Sequence, residues 1–313
     1  FGWASLATLL AFLINNYLTV AMRWPGIAPV FAGGDTVASL QSWIQLAIYL
    51  ALAVVAILFV WRSDTRSLRA DSRSISNVNA YLIRAAFWGV LLVGLADTAI
   101  SFLRVENLLE NYVSADMAQE LGRARFRGPY VHLPLLALGA IIALFTRSLG
   151  FMWLALLIVA AELAIVITRF IFSYEQAFMG DLVRFWYAAL FLFASAYTLL
   201  EDGHVRVDVF YAGLKSRTKG FINAWGAILL GMTVCWVILV IGMGGRSSII
   251  NSPMLNYEVS QSGFGAYTKY LMAGFLAVFA ITMLIQFVSQ LLESVADWRE
   301  EPGARELPEV PAH

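Results

Sequence analysis

Long apolar runs alternate with short polar segments along nearly the whole chain. A membrane-spanning helix needs about 20 mainly apolar residues. Eight runs meet that length, at roughly 3–22, 42–61, 80–103, 130–147, 150–171, 182–200, 220–244 and 267–292. The fourth and fifth are parted only by Arg147-Ser148-Leu149-Gly150, which predicts a tight turn between two helices. Between the third and fourth runs, Val105, Leu108, Leu109, Tyr112, Val113, Met117 and Leu121 recur at helical spacing. That spacing predicts an amphipathic helix over 105–124, lying on the outer membrane surface. The polar, proline-rich end, 299–313, predicts a disordered tail. The fold class is therefore an all-α integral membrane protein of about eight spans.

Composition agrees with this pattern. Of the 313 residues, 60% are hydrophobic and only 13% charged, against about 25% charged in soluble domains. The charges gather between the runs, because one at the bilayer centre costs about 2.5–3.5 kcal/mol. The first apolar run is as long as a span and shows no clear cleavage site, so no signal peptide is expected. A start at Phe1 is compatible with a longer gene product. Arg62, Arg66, Arg69 and Arg73 follow the second run, and Arg206, Lys215, Arg217 and Lys219 follow the sixth. Short loops rich in Lys and Arg stay in the cytoplasm. Both segments, and with eight spans both termini, are thus expected on the cytoplasmic side. Arg123, Arg125 and Arg127 on the opposite side run against that count.

The two halves match at an offset of 137 residues. Arg69-Ala70-Asp71 falls on Arg206-Val207-Asp208, Trp88-Gly89 on Trp225-Gly226, Gly94 on Gly231 and Tyr130 on Tyr267. The matches predict two four-helix units in parallel tandem, 1–147 and 150–295.

Candidate chemistry is sparse. Net charge is zero, so nucleic acid has no electrostatic attraction to this chain. Of the three histidines, His132, His204 and His313, only His132 lies in or near a span, which excludes a bis-His haem held within the chain. The lone Cys235 cannot form an internal disulfide or hold an iron–sulfur cluster. No phosphate loop, catalytic triad or converging set of metal ligands is present, so neither enzyme activity nor a cofactor in this chain is expected. Two carboxylates, Glu162 and Asp97, lie within apolar runs. Such groups either line an ion or proton path or pair with donors on neighbouring helices. Pairing, in this chain or with a partner, is the expectation, because a carrier gathers several polar groups and broken helices at mid-membrane.

The C-terminal half is more specific. It reads Ile167-Thr168-Arg169-Phe170, then Gly180-Asp181-Leu182-Val183-Arg184, then Asp202-Gly203-His204-Val205-Arg206-Val207-Asp208. This resembles the small membrane subunit of TRAP transporters, the DctQ-like family, over about 150–295. That family shows an Arg-aromatic pair ending its first span and an acidic-x-x-Arg start to its second. A Gly-Gly-His-(Ile/Val)-Arg-Val-Asp stretch follows the second span. Here Asp202 replaces the first Gly of that stretch, and Asp181 stands where paired Glu is common. The family usually has four spans, so 1–147 is additional. The resemblance implies a subunit interface or structural motif at Arg169, Asp181, Arg184, Gly203, His204, Arg206 and Asp208. It also implies a scaffold role in a binding-protein-dependent importer of organic acids or related solutes, in a bacterial or archaeal cytoplasmic membrane. The implied partners are a large DctM-like membrane subunit, where sodium is expected, a periplasmic substrate-binding protein and membrane lipids. A self-sufficient carrier or channel, and the membrane anchor of a respiratory complex, are the alternatives.

Overall fold

The computed structural model describes residues 1–32, 39–63, 65–147, 151–201, 211, 213–260 and 265–303. Among these it is all-helical, with eight helices long and apolar enough to cross a membrane. They are α1 (Gly2–Val20), α2 (Leu40–Arg62), α3 (Leu68–Val105), α4 (Ala124–Phe145), α5 (Phe151–Phe172), α6 (Ala177–Leu200), α7 (Ser216–Gly242) and α8 (Lys269–Trp298). The chain is thus a multi-pass membrane protein. Two helices organise it. α8 packs on α1, α3, α6 and α7, and α3 packs on α4, α6 and α8. α2 rests chiefly on α1, and α5 on α6. One apolar core gathers residues of α1, α7 and α8, and a second those of α3, α5 and α6.

Fifteen of the sixteen helix ends lie within six residues of the ends of the apolar runs. α3 differs most, beginning 12 residues before the predicted 80–103 run. Ser67 starts it, its hydroxyl accepting the Ala70 N–H at 3.2 Å. The first three turns are polar because they are buried against α8, not because they are loop. The Ser72 and Ser76 hydroxyls lie 2.9 and 2.7 Å from that of Ser289. Asn79 donates to the Thr282 carbonyl at 2.9 Å and to Gln286 at 3.2 Å, and Gln286 donates to Ser76 at 3.3 Å. Residues 72, 76 and 79 face 282, 286 and 289, two sets with the same 4- and 3-residue steps on antiparallel helices. Such interhelical bonds contribute roughly 0.6 kcal/mol each in a membrane.

The start of α3 is tied down by Arg69, whose side chain is 4% exposed. It pairs with Glu293, with Asp297 at 2.8 Å and with the Glu301 carbonyl at 3.0 Å. Asp71 accepts from the Trp3 indole at 2.8 Å and pairs with Arg66 at 3.0 Å. The Arg69–Asp71 dipeptide spacing therefore binds α3 to both α8 and α1. Arg69→Met removes the charge-assisted bonds, each worth about 1.5–3 kcal/mol. Thermal unfolding in detergent should show a clearly lower midpoint for Arg69→Met. The exposed Arg62→Met should melt with the parent, and equal midpoints for both would remove the clamp.

The predicted amphipathic helix over 105–124 is not continuous. Asn107 takes a left-handed conformation (φ 57°), which ends α3. A single turn follows at Leu109–Asn111, and Ser114 then starts a new short helix, Ala115–Leu121, by accepting from Met117 N. Of the named apolar face only Leu109 is buried. The left-handed turn at Asn107 and the new start at Ser114 break the helix, so the named residues form no continuous face. At the start of the predicted tail, the Glu301 carbonyl accepts from Arg69. The rest of the tail, 304–313, lies outside the described residues.

The halves at the 137-residue offset each contribute four spans, but matched residues have unlike surroundings. Gly89 meets Gly139 and Leu136 of α4, whereas a side chain at Gly226 would meet nothing within 4 Å.

Candidate functional site

The C-terminal end of α3 carries Asp97 and Ser101, one turn apart on the same face. Both are fully buried. A carboxylate in so apolar a helix needs donors from elsewhere in the fold. α4 supplies them. Its first turns pass from α-helix through a wider π turn at Gly128–His132, which brings Arg127 and His132 to the same point. Arg127 Nη1 lies 2.7 Å from Asp97 Oδ1 and 3.1 Å from Ser101 Oγ. Arg127 Nε donates to the Leu121 carbonyl at 2.6 Å. His132 Nε2 lies 3.0 Å from the same Asp97 Oδ1, and Nδ1 lies 2.8 Å from the Tyr270 hydroxyl of α8. A carboxylate only accepts, so Nε2 carries the proton, and in the neutral imidazole Nδ1 accepts from the phenol.

The remaining oxygen of Asp97 crosses to the last span. Oδ2 accepts the backbone N–H of Tyr267 at 2.7 Å. The Tyr267 ring sits 4.3 Å from the Arg127 guanidinium carbon and 5.0 Å from that of Arg104, a cation–π arrangement. The Tyr267 hydroxyl donates to the Gly122 carbonyl at 2.9 Å and also meets Arg104. Tyr257, in a left-handed conformation, lays its ring against Tyr270 and directly over Gly128. A Cβ at residue 128 would lie 2.2 Å from that ring, so only glycine fits there.

A second carboxylate does a parallel job from α6. Asp181 Oδ2 accepts from Ser260 Oγ and from Ala266 N, both at 3.0 Å. Asp97 and Asp181 thus take successive backbone N–H groups, those of Tyr267 and Ala266, just before α8 begins. Two negative groups at that place also favour the positive end of the α8 dipole. Asp181 further pairs with Arg184 at 3.4 Å, and that arginine is mostly exposed. Near by, Tyr174 donates to Glu106 at 2.7 Å. Desolvation and the Glu106 carboxylate push the phenol up to about 12.

The other sequence-predicted residues lie apart. Arg169, at the end of α5, pairs with Glu175 at 3.2 Å rather than with Glu162. Glu162 is exposed and has no partner among the described residues. Gly203, His204, Arg206 and Asp208 lie outside the described residues. Asp97 was legible as a carboxylate in need of a partner, but Arg127 read as a surface charge on the outer connection. Being fully buried, it carries no weight in counting loop charges. Tyr267 stood out only as the repeat partner of Tyr130, and Tyr270 gave no signal of its own. Ser101, four residues after Asp97, could have been found as its neighbour on one helical face.

Chemically this cluster is a closed brace. Both oxygens of its carboxylate accept hydrogen bonds, and both nitrogens of its imidazole are engaged. No group of three or more His, Cys, Asp or Glu side chains suited to a metal ion occurs among the described residues.

Residues 155–297 match the family model described as Tripartite ATP-independent periplasmic transporters, DctQ component. No curated protein and no solved structure matches the chain. The matched segment contains Asp181, Tyr257, Tyr267 and Tyr270. Asp97, Arg127 and His132 precede it. The brace therefore joins the matched segment to the helices in front of it.

Proposed function

We propose that this chain, whose residues 155–297 are a DctQ-component region of the tripartite ATP-independent periplasmic transporters, is the scaffold subunit of a binding-protein-dependent importer. That family is a family of transporter components, not of enzymes. In this reading the chain braces a large DctM-like membrane subunit and binds no solute. A periplasmic binding protein delivers an organic acid or related solute, and sodium acts at the large subunit. Residues 1–147 enlarge the scaffold as a diverged copy of the four-helix unit. The membrane is the cytoplasmic membrane of a bacterium or archaeon, with both termini inside.

The observation that carries this reading is the state of Asp97. The carboxylate deepest in the fold is spent on fastening helices to one another, which suits a rigid support. A carrier would need such a group free to exchange a cation or proton. Proteoliposomes containing only this chain should accumulate no organic acid under a sodium gradient. Adding the large subunit and the binding protein should restore uptake. Robust uptake by the chain alone would make it a self-sufficient carrier instead.

Orientation has its own test. Single cysteines at Ser74 and Ser216, in a Cys235→Ala background, should resist an impermeant thiol reagent in intact cells and react once the membrane is opened. Labelling of either from outside reverses the topology.

A further inference from the structure

α2 and α5 are the two spans least covered by the rest of the chain, each with 11% of its most apolar window buried. They differ in what they expose. α2 has no Asp, Glu, Lys, Arg or His from Leu40 to Trp61, as a helix facing lipid should. α5 exposes Glu162, residue 12 of 22. At about 1.5 Å per residue the carboxylate lies roughly 16 Å from either helix end. A Glu side chain cannot reach the headgroups from there, and a charge facing hydrocarbon at that depth is strongly disfavoured. Nothing in the described part of this chain meets it.

Glu162 also sits in an ordered stripe. Ala155, Val159, Glu162, Val166 and Arg169 recur at alternating 4- and 3-residue steps along one flank of α5. The flank adjoins, but does not coincide with, the Leu154 and Ile158 face buried against α6. Val159 and Val166 are 64% and 48% exposed. Small and β-branched side chains at this spacing suit close left-handed packing of a second membrane helix.

We propose that this flank of α5 is where the large membrane subunit docks, through a transmembrane helix that presents a basic side chain at the depth of Glu162. This rests on the scaffold reading above and adds the face, the register and the charge of the contact. The uncompensated carboxylate selects the occupant: lipid offers no cation at that depth, and a second copy of this chain would bring another Glu162 face.

The test uses the chain co-expressed with its large subunit. A photo-crosslinking amino acid at Val166 should give an adduct with the large subunit, and the same group at Val54 of α2 should not. Glu162→Gln should lower recovery of the complex several-fold, and Glu162→Lys or Val166→Trp tenfold or more. Val54→Trp should leave recovery unchanged. The isolated chain should melt and elute like the parent in every case, since these side chains lie on its exposed surface. Full recovery of the complex with Glu162→Lys and Val166→Trp, or Val166 adducts only with lipid or a second copy of this chain, would overturn the assignment while leaving the scaffold reading in place. If the parent chain itself does not co-purify with the large subunit, both fall.

Discussion

Asp97→Asn should destabilise the protein by about 3–5 kcal/mol, because it strands a fully buried guanidinium without its counter-charge. Arg127→Gln should do comparable damage by stranding the carboxylate. The pair is set where the end of α3 meets the starts of α4 and α8, so the loss should appear as detachment of α4 and of the segment entering α8. Amide exchange at Tyr267, whose N–H donates to Asp97, reports it locally, and thermal unfolding in detergent reports it globally. Asp97→Asn combined with Arg127→Gln should recover at least about 1 kcal/mol relative to the sum of the single changes, since the double variant buries no lone charge. A single variant that melts with the parent, or strictly additive losses, would mean that the pair does not hold the helices together.

Gly139→Val is the second change with a large consequence. A Cβ at 139 would lie 2.5 Å from Gly89 N and 2.8 Å from Gly89 Cα. These are backbone atoms of α3, so no side-chain rotation relieves the clash and the helices must separate. Overpacking usually costs about 1–3 kcal/mol where side chains can give way. Here the upper end or more is expected, seen as a large drop in the yield of monodisperse protein. Gly226→Ala is the control. Nothing lies within 4 Å of a side chain there, and alanine favours a helix over glycine by up to about 1 kcal/mol. If Gly139→Val behaves like Gly226→Ala, α3 and α4 do not make so close an approach.

The brace gives the extra N-terminal helices a physical role. Asp97, Arg127 and His132 come from them, while Tyr267, Tyr270 and Asp181 come from the matched segment. The segment entering α8 is thus held by one carboxylate from each part.

How much of this was legible follows from where each constraint acts. The bilayer acts on every span separately, demanding about 20 apolar residues in succession. The number of spans and most of their ends could therefore be read along the chain, as could the DctQ resemblance around Arg169, Asp181 and Arg184. The early start of α3 could not be read from hydropathy. Ser72, Ser76 and Asn79 look like loop until Thr282, Gln286 and Ser289 stand opposite, though the shared 4- and 3-residue spacing was there to be noticed. The fates of the two intramembrane carboxylates were open for a stronger reason. Asp97 and Glu162 each sit in an apolar run, and nothing local separates them. Asp97 meets Arg127 30 residues on and Tyr267 170 residues on, while Glu162 is turned outward by the way α5 leans on α6. Which buried charge finds its partner inside the chain depends on how helices far apart in sequence come together, and that free energy is not carried by any window of residues short enough to show a period.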